Sequence, residues 1–438
     1  MVSCRSTLSY SGIPVNRIVI LGGGFAGAYC AQALEKRVRG LSAEVLLVDR
    51  NNYFVFYPLL VEAGTGSLEP RHAVVSLRAF LKTASFVMAE VVGLDLSRRR
   101  VLCRGEREDP PREIPYEHLV LALGSVTRLP DVPGLERFGL EMKSLADAVH
   151  LRDLAIRRLE QADACEEPAR RRALLQFVVV GANFTGVEVA GELQVFLRQA
   201  CRHYRNVRRE EIGITLVELS GRILSALDAD LAAYAAQQMR RRGIILKMQS
   251  SLTSIQEDRV TLADGETLPA YTVIWCAGIR PHPLLRQLPF PTTPQGYLAC
   301  ERDLRVRGQE SVWAIGDCAS IPDPQGMPYP ATAQHAVREG AHLAENLARS
   351  LSGRPLLPFD YTARGSLVPL GCRTGVAKVF GIKLSGFAAY FLWRSYYWLR
   401  MPGWSRKFRV ALDWTADLLF TRDIVQLGVH RPVERSNS

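Results

Sequence analysis

The sequence has 438 residues, of which 47% are hydrophobic and 23% are charged. This balance excludes a generally disordered chain, and the length predicts two or three domains rather than one. The net charge of +11 is compatible with three kinds of anionic partner, namely nucleic acid, a membrane surface and nucleotide phosphates.

Nine cysteines are spread along the chain, at positions 4, 30, 103, 165, 201, 276, 300, 318 and 372. No two are closer than 18 residues, so the sequence contains no CxxC redox pair and no CxxC zinc half-site. We expect a packing role for these thiols, a reducing compartment and no metal centre. The N-terminus shows no apolar core of signal-peptide length, and no run of 18 uncharged apolar residues occurs, so we expect no membrane-spanning helix.

A dinucleotide-binding pattern occupies residues 17–49. A short apolar strand leads into Gly22-Gly-Gly-Phe-Ala-Gly27, a helix-compatible segment follows, and a second apolar strand ends on an acid. This order is typical of a Rossmann βαβ unit. Gly22 permits the tight turn, Gly24 lets the backbone approach a pyrophosphate at the helix N-terminus, and Gly27 allows close helix–strand packing. Asp49 is placed to accept hydrogen bonds from a ribose.

The same pattern recurs at residues 177–218. An apolar strand runs into Gly181-Ala-Asn-Phe-Thr-Gly186, a helical segment follows, and the next strand ends on Glu218. A single fingerprint is weak support because glycine-rich turns are common, but two copies in the same order are much stronger. Asn183 replaces the middle glycine of the second copy, and asparagine also tolerates unusual backbone angles.

Each copy closes with a further apolar strand that ends in glycine. The closing glycines are Gly124 and Gly278, which follow the first glycine of their fingerprints by 102 and 97 residues. A third strand, at 311–316, precedes Asp317 and belongs to the first unit, although it comes after the second. The sequence therefore predicts an α/β protein with two Rossmann-type dinucleotide-binding domains, the second inserted within the first.

Two later segments are predicted to be helical. The first begins just after Pro330 and carries Gln334 and Arg338. The second segment, 387–420, holds four of the six tryptophans and eleven of the 36 aromatic residues. Five basic residues lie among these aromatics: Arg394, Arg400, Arg406, Lys407 and Arg409.

The composition of the 387–420 segment favours an amphipathic region that docks on a membrane face without crossing it. Pro402-Gly403 divides it into two predicted helices, and apolar residues recur at helical spacing in the second, from Trp404 to Leu419. A helix pair that packs or dimerises is the alternative. Aromatic and basic residues together also suit nucleic acid, but no nucleic-acid-binding motif accompanies them.

With these motifs in hand, the chain resembles the type II NADH:quinone oxidoreductases over about residues 17–427. The segment that starts at Asn51-Asn-Tyr-Phe-Val-Phe-Tyr-Pro-Leu-Leu-Val-Glu is similar to the family's segment beside the flavin ring. The loop from Gly181 to Glu188 resembles its NADH loop, and Ala333-Gln334-His-Ala resembles its quinone-side helix. Where that helix has a second glutamine in the family, this chain has Arg338, a departure that concerns the electron acceptor.

The resemblance implies that FAD binds the first Rossmann unit and that NADH binds the second. It implies that Asp317 holds a ribityl hydroxyl of FAD and that Gln334 bonds a quinone carbonyl. Glu188 would orient the nicotinamide or relay a proton; its alternative is a partner for the helix dipole. Glu218 predicts NADH over NADPH, because a carboxylate about 4 Å from a 2′-phosphate costs on the order of 4 kcal/mol. Arg222 lies close enough in sequence to weaken that preference.

We expect the FAD-binding domain at 12–144 and 281–380, the NAD(H)-binding domain at 145–280 and membrane-associated helices at 381–438. The expected partners are NAD(H), a membrane quinone and an anionic lipid surface at the cytoplasmic face of the cell membrane, without nucleic acid; a homodimer is left open. Three alternatives stay open at this stage. They are a sulfide:quinone oxidoreductase, a disulfide reductase and a flavin-bearing redox sensor or scaffold.

Overall fold

The structure, a computed structural model, describes residues 16–105 and 111–428. Cys4, residues 12–15 of the predicted FAD-binding domain and residues 429–438 of the predicted C-terminal region lie outside the described residues. The chain divides into two compact units, each assembled from separated stretches. Unit 1 comprises Met1–Phe54, Ser76–Ser125 and Pro281–Tyr361, and unit 2 comprises Val55–Val75, Val126–Arg280 and Thr362–Ser438.

A five-stranded parallel sheet forms the centre of unit 1. Its strands, in spatial order, are Val312–Ala314, His118–Leu121, Asn16–Leu21, Ala43–Asp49 and Ser85–Met88. Ile18, Val19 and Ile20 on the central strand have no exposed surface, as expected where helices and loops cover both faces of a parallel sheet. The strand Val312–Ala314, from the late segment at 311–316, belongs to this sheet, as predicted, and lies at one edge of it.

Two long helices of unit 1 pack against each other, Phe25–Arg37 and Ala333–Leu351. The other elements of this unit are short. They are the helix Leu77–Phe80, the antiparallel strands Glu90–Asp95, Arg100–Arg104 and Arg112–Pro115, the paired strands Leu298–Ala299 and Ala319–Ser320, and the 3₁₀ turns Pro283–Gln287 and Gly316–Cys318.

Unit 2 is built on a second five-stranded parallel sheet. Its strands, in spatial order, are Gly139–Glu141, Thr272–Trp275, Gln176–Val180, Gly213–Glu218 and Ile244–Met248. In both units, the strand that precedes the fingerprint lies at the centre, with the acid-terminated strand on one side and the closing strand on the other. The predicted α/β architecture with two Rossmann-type sheets is confirmed.

The remaining elements of unit 2 surround this sheet. Its helices before the C-terminal segment are Leu60–Gly64, Leu135–Phe138, Leu145–Asp163, Pro168–Leu174, Phe184–Ala200 and Ala229–Arg241. An antiparallel sheet has the strands Leu252–Ile255, Arg259–Leu262 and Thr267–Pro269, and the 3₁₀ turns are Tyr57–Leu59, Pro70–Ala73, Cys201–His203 and Arg209–Glu211. Short strands lie where the chain passes between the units, at Tyr53–Val55, Val74–Ser76, Ser125–Thr127 and Ile279–Pro281.

The C-terminal part of unit 2 is an antiparallel sheet followed by two helices. The strands are Gly365–Pro369, Gly375–Val379 and Ile382–Ser385, and the helices are Gly386–Arg400 and Trp404–Leu419. The helix break falls at Pro402-Gly403, as predicted. Among the described residues, no helix combines the length and the apolar character that crossing a membrane requires.

Candidate active site

The first fingerprint folds so tightly that two of its glycines admit no side chain. A Cβ on Gly22 would lie 2.2 Å from the carbonyl oxygen of Ala122, and Gly22 has a φ of +103°. A Cβ on Gly27 would lie 1.9 Å from the carbonyl oxygen of Gly22, so helix and strand are in direct contact. Gly24 differs, because a Cβ there would meet nothing within 4 Å. Its backbone faces open space at the helix N-terminus, which fits the approach of a pyrophosphate.

Asp49 closes the first fingerprint through its carboxylate. Oδ2 accepts a hydrogen bond from the Gly23 amide at 2.6 Å, and Oδ1 accepts one from the Asn51 amide at 2.7 Å. Burial raises the pKa of Asp49, and these two amides and Arg50 oppose that rise. The carboxylate is thus fixed beside the glycine turn, and each oxygen keeps a lone pair for a ribose hydroxyl.

Asp317 and Gly124 lie at the carboxyl ends of neighbouring strands in unit 1. Asp317 Oδ2 accepts a hydrogen bond from Ser125 Oγ at 2.9 Å, and Gly124 has a φ of +68° with open space beside it. Sequence reasoning missed Glu339, whose Oε2 accepts the Gly316 amide at 2.6 Å and so fixes the turn before Asp317. Burial raises the pKa of Glu339 to about 7. The cradle in unit 1 therefore fits the adenosine, pyrophosphate and ribityl groups of FAD.

The second fingerprint repeats this construction in unit 2. A Cβ on Gly186 would lie 1.8 Å from the carbonyl oxygen of Gly181, whose own φ is +95°. The explanation offered for Asn183 from the sequence is wrong, because its φ is −72° and its backbone is ordinary. Asn183 instead caps the helix: Oδ1 accepts the Gly186 amide at 3.0 Å, and Nδ2 donates to the Cys276 carbonyl at 2.7 Å.

Glu218 occupies the position in unit 2 that Asp49 has in unit 1. Its Oε2 accepts the Ala182 amide at 2.6 Å, and its Oε1 accepts both the amide and the hydroxyl of Ser220 at 2.8 Å. The Arg222 guanidinium makes no ion pair with this carboxylate and so does not neutralise its charge. Its guanidinium donates to the carbonyls of Ser225 at 2.8 Å and Leu227 at 3.2 Å.

The closing glycine of unit 2 is Gly278, at the end of the strand Thr272–Trp275. It has a φ of +77°, and a Cβ there would lie 3.5 Å from Arg128 Cβ. The four residues predicted to form the second nucleotide site, Gly181, Gly186, Glu218 and Gly278, thus lie at or near the carboxyl ends of neighbouring strands. Ligands of doubly wound sheets bind at such ends, where the strand order reverses.

Glu188 belongs to a group of three carboxylates in unit 2, which we call the carboxylate cluster: Glu62, Glu188 and Glu192. Glu188 and Glu192 are four residues apart on the helix Phe184–Ala200 and so share a face. The helix Leu60–Gly64 packs against that helix and brings Glu62 to it. Glu188 is partly buried, whereas Glu62 and Glu192 are buried.

The C-terminal segment supplies the partners of two cluster members. Trp414 Nε1 donates to Glu62 Oε2 at 2.7 Å, and Arg394 Nη2 lies 3.8 Å from Glu62 Oε1. Arg422 Nη2 donates to Glu192 Oε2 at 2.8 Å. Glu62 thus accepts a hydrogen bond from the second C-terminal helix and lies near a guanidinium of the first. Glu192 accepts a hydrogen bond from Arg422, which follows the two helices.

Burial determines the proton affinity of two members of the carboxylate cluster. It raises the pKa of Glu62 to about 7, with Arg394 and the Trp414 hydrogen bond opposing the rise and Glu192 adding to it. Burial also raises the pKa of Glu188 well above its ordinary value, and the negative charges of Glu62 and Glu192 raise it further. A carboxyl group that keeps its proton near neutral pH can act as a general acid.

The predicted acceptor-side helix, Ala333–Leu351, begins after Thr332, which caps it. Gln334 lies in its first turn, and its Oε1 accepts a hydrogen bond from the Tyr361 hydroxyl at 3.2 Å. The Arg338 guanidinium lies over the Tyr361 ring, 5.6 Å from its centroid. His335 is buried against Thr332, and burial lowers the pKa of His335.

The two C-terminal helices present an apolar surface, which we call the docking surface. The residues at more than half exposure on it are Phe387, Phe391, Leu399, Trp404, Phe408, Leu412 and Leu419. The side chains that face the body of unit 2 are different ones, among them Trp393, Val410 and Trp414. The segment therefore both packs on unit 2 and exposes the apolar face that the spacing predicted.

One basic residue of the segment does not belong to the docking surface. Arg394 is turned inward, with its side chain 13% exposed beside Glu62. Its guanidinium lies over the Trp414 ring, 4.3 Å from the centroid. Of the other basic residues counted from the sequence, Arg400 and Arg409 are exposed, whereas Arg406 is half-buried and Lys407 donates to the Leu399 carbonyl at 2.8 Å.

The eight described cysteines form no disulfide. Burial raises the pKa of Cys103 to about 11 and the pKa of both Cys276 and Cys318 to about 12. Thiols of this kind are poor nucleophiles because sulfur reacts as the thiolate. For these three thiols, burial therefore disfavours the sulfur chemistry that a sulfide oxidase or a disulfide reductase needs.

Comparison with known proteins agrees with this geometry. The pyridine nucleotide-disulphide oxidoreductase family matches residues 16–340, and the NDH2 C-terminal domain matches residues 364–423. The chain is 33% identical to a demethylphylloquinone reductase of Synechocystis over 405 residues, which cover 91% of this chain and 95% of that protein. It is 30% identical to a type II NADH:quinone oxidoreductase of Staphylococcus aureus over 384 residues, which cover 86% and 92%.

A solved structure shares the fold. The NDH2 of Plasmodium falciparum, determined in complex with NADH, superposes with a TM-score of 0.86 at 18% identity and covers 94% of this chain and all of that one. The chain belongs to the pyridine nucleotide-disulphide oxidoreductase family and, within it, to the type II NADH:quinone oxidoreductases. It is therefore an oxidoreductase that binds NAD(H), and the resemblance inferred from its motifs is confirmed.

Sequence reasoning missed four residues of the carboxylate cluster and its partners. They are Glu62, Glu192, Trp414 and Arg422. The signal for Glu62 was present, since a lone acid interrupts the apolar run from Leu59 to Ala63. Arg422 carried no comparable signal, because a basic residue near the end of an aromatic, basic segment is ordinary.

Proposed function

We propose that this protein is an NADH:quinone oxidoreductase that uses non-covalently bound FAD and works from a membrane surface. The observation that carries the proposal is the presence of two dinucleotide cradles of the same construction in one chain. Each has a glycine whose Cβ would overlap a carbonyl oxygen by more than an ångström, and each has an acid bound to the fingerprint amide. A chain with two such cradles is suited to pass electrons from one dinucleotide to another.

The cradle in unit 1 would hold FAD through Gly22, Gly24, Gly27, Asp49, Gly124 and Asp317. FAD, when bound, supplies a ring that takes up a hydride and passes on its two electrons. The protein residues bind and orient it. Gly24 would leave room for the pyrophosphate of FAD, and Asp49 and Asp317 would accept hydrogen bonds from its ribose and ribityl hydroxyl groups.

The cradle in unit 2 would hold NADH through Gly181, Gly186, Glu218 and Gly278. The charge of Glu218 would favour NADH over NADPH, because an acid at the end of the second strand of a Rossmann unit would face the ribose hydroxyl that carries the 2′-phosphate in NADPH. The hydrogen bonds from Ala182 and Ser220 fix that charge in place. Arg222 is held by loop carbonyls and does not offset it.

Two residues would act on the second half of the reaction. Glu188 would donate a proton to the quinone, since burial and the charges of Glu62 and Glu192 raise the pKa of its carboxyl group well above its ordinary value. Gln334 would donate its amide N–H to a quinone carbonyl, while its Oε1 accepts the Tyr361 hydroxyl. Arg338 would shape the acceptor preference from the next turn of the same helix.

The docking surface would place the enzyme on the cytoplasmic face of the cell membrane, where a quinone with a long isoprenoid tail resides. Exposed aromatic residues favour the interfacial zone. The two exposed basic residues, Arg400 and Arg409, would add about 1 kcal/mol each near anionic lipid, less under physiological screening.

The alternative role for the docking surface is to form a homodimer. Flotation with anionic vesicles at low salt tests the docking, and a protein that stays unbound as a dimer would contradict it.

An anaerobic absorption spectrum tests the proposal as a whole. The purified flavoprotein is mixed in turn with NADH, NADPH and sulfide, and acid treatment afterwards identifies the released flavin. We expect NADH to bleach the flavin fastest and FAD to appear in the acid supernatant. Bleaching by sulfide but not by NADH, or flavin that stays on the precipitated protein, would overturn it.

A further inference from the structure

Glu62 has no assigned part in the reaction proposed above, although its helix packs against the helix that carries Glu188. It is on the helix Leu60–Gly64 and is 5% exposed. A carboxylate in such a position is strongly destabilising unless other groups compensate its charge. The groups that face it come from three elements and the C-terminal tail.

The compensation of Glu62 is partial. Trp414 donates one hydrogen bond from a neutral indole, at 2.7 Å, and Arg394 lies 3.8 Å away, beyond hydrogen-bond distance. Tyr390 lies beside Arg394, whose guanidinium is 5.2 Å from its ring centroid. The stronger cation, Arg422, is taken by other acids.

Glu192 is compensated far better. Arg422 Nη2 donates to Glu192 at 2.8 Å, and Arg422 Nε donates to Asp417 at 2.8 Å. Arg422 Nη1 donates to the Thr65 carbonyl at 3.2 Å. Glu192 is therefore compensated by a guanidinium that donates a hydrogen bond to it, which neither Glu62 nor Glu188 has within the described part of the chain.

The two remaining carboxyl groups differ in what favours their ionised form. Glu62 has the indole N–H and a nearby guanidinium, whereas no hydrogen bond or ion pair to the Glu188 side chain occurs among the described residues. Two close carboxylates in a poorly solvated site do not both ionise near neutral pH. Above about pH 7, where Glu62 loses its proton, the negative charge should therefore settle on Glu62 and the proton stay on Glu188.

We propose that Glu62 is a positioning residue for Glu188: its carboxylate, held by Trp414 and faced by Arg394, opposes ionisation of Glu188 and keeps the proton there. This inference rests on the proposed function, in which Glu188 is the proton donor. NADH supplies two electrons and one proton as hydride, and a quinone takes up two electrons and two protons. The second proton leaves the carboxyl group of Glu188 as the O–H bond of the quinol forms, and solvent returns a proton to Glu188.

The kinetic test follows the second half-reaction alone. Protein reduced beforehand with one equivalent of NADH is mixed anaerobically with a short-chain quinone, and flavin reoxidation is recorded across a pH series. In Glu62→Gln, the pH above which reoxidation slows should fall by about one unit, which makes the rate about tenfold lower than wild type at alkaline pH. Glu62→Asp, which keeps the charge, should restore most of the difference.

Two further variants separate this effect from a change in folding. Trp414→Phe removes the N–H and keeps an aromatic ring, so the proton shifts toward Glu62 and the pH profile moves in the same direction by a smaller amount. Glu210→Gln removes an exposed charge from the same unit and should leave the profile unchanged. If Glu62→Gln does not fold, Trp414→Phe decides the question.

A spectroscopic measurement gives the proton position without turnover. Infrared difference spectra over the same pH series identify the protonated carboxyl band of Glu188 as the one missing in Glu188→Gln. That band should disappear at lower pH in Glu62→Gln and Trp414→Phe than in wild type. The same pH dependence in all three proteins would overturn the inference.

Failure of the inference is distinguishable from failure of the proposed function. If Glu188→Gln leaves the quinone step at the wild-type rate, Glu188 is not the proton donor and the proposed function is wrong at that point. If Glu188→Gln slows that step while Glu62→Gln and Trp414→Phe leave both the pH profile and the infrared titration unchanged, the donor stands and the role of Glu62 is refuted.

Discussion

The two nucleotide cradles agree in their backbone and differ at one side chain. The overlap of Gly27 with the Gly22 carbonyl at 1.9 Å has its counterpart in Gly186 and Gly181 at 1.8 Å. In both units the acid accepts the amide of the second fingerprint residue at 2.6 Å. The difference is that Gly24 leaves the first helix end open, whereas the Asn183 side chain caps the second.

This difference between the two helix ends is expected to affect how each nucleotide binds. An uncapped helix end with no side chain lets a pyrophosphate bind directly to the backbone amides, which suits a cofactor that stays bound. A helix end that already has a cap needs the ligand less for its stability, which suits a nucleotide that binds and leaves at each turnover. The predictions below test how far the two cradles are equivalent.

The largest effect should come from adding a side chain at the glycine of each fingerprint whose Cβ would overlap a backbone carbonyl oxygen. Gly27→Ala and Gly186→Ala each place a Cβ within 2 Å of a backbone oxygen, so each should cost more than about 4 kcal/mol locally. We expect Gly27→Ala to lower the flavin content of the purified protein and Gly186→Ala to keep flavin but lose reduction by NADH. The absorption spectrum of the purified protein measures its flavin content, and anaerobic bleaching of the flavin measures reduction by NADH. Gly221→Ala, where a Cβ meets nothing within 4 Å, is the control.

The next effect concerns unit 2 and its C-terminal tail. Arg422→Met leaves Glu192 buried without its cation, which should lower the free energy of unfolding by about 3–5 kcal/mol. Arg409→Met, at an exposed position, should change it little. Urea unfolding of both variants compares them. Equal stability of the two would mean that the tail does not stabilise the carboxylate cluster.

For the same reason, deleting the C-terminal segment is a poor test of membrane docking. The deletion would remove Trp414 from Glu62 and Arg422 from Glu192 at once. We expect the truncated protein to lose stability, so flavin reduction by NADH would not stay intact. Substituting exposed residues such as Trp404 and Phe408 by serine leaves the inward face unchanged and is the appropriate experiment.

Stability should also depend on pH through Glu62. Its pKa rises from 4.5 to about 7 on folding, so the folded state holds a proton that the unfolded state has released between these values. The unfolding free energy should therefore fall as pH rises from about 4.5 to 7, by about 2–3 kcal/mol from this group. Glu62→Gln should flatten that part of the profile, measured by urea unfolding at several pH values. An unchanged slope would contradict it.

A smaller effect should distinguish the two nucleotides. Glu218→Ser removes the charge that opposes a 2′-phosphate, so the ratio of kcat/KM for NADH to that for NADPH should fall by about tenfold or more. The measurement is the initial rate of flavin reduction with each donor. A wild-type protein that prefers NADPH would show that the cradle is misassigned.

The smallest effect should come from exchanging the differing residue. Asn183→Gly costs only a few tenths of a kcal/mol, because glycine is itself a tolerated cap. Gly24→Asn should weaken flavin binding more than Asn183→Gly weakens NADH binding. Flavin release on dilution measures the affinity for flavin, and the dependence of flavin bleaching on NADH concentration measures the affinity for NADH. Equal changes would mean that the open helix end has no special role.

The sequence predicts the fold well because the two fingerprints constrain it locally. Gly27 and Gly186 are required by contacts with Gly22 and Gly181, five residues earlier in the sequence, so the spacing of these glycines alone identifies the turn. The carboxylate cluster could not be predicted in this way. Glu62 and Trp414 are more than 300 residues apart in the sequence, and only the tertiary packing brings them within 2.7 Å.

The same limit explains the errors. Asn183 was expected to adopt an unusual backbone, but its side chain reaches a helix amide and a carbonyl 93 residues away. Arg394 was counted with the basic residues expected at the membrane surface, since the sequence shows only that it lies among aromatic residues, yet it is turned inward beside the buried Glu62. In both cases a polar partner distant in sequence determined the side-chain position.

The most direct test of the central claim is a two-step anaerobic experiment on the wild-type protein. One equivalent of NADH is added and the flavin spectrum recorded, and a short-chain quinone is then added without oxygen. We predict that NADH bleaches the flavin and that the quinone restores the oxidised spectrum with stoichiometric formation of quinol. A flavin that NADH bleaches but that stays reduced in the presence of quinone would contradict the assignment.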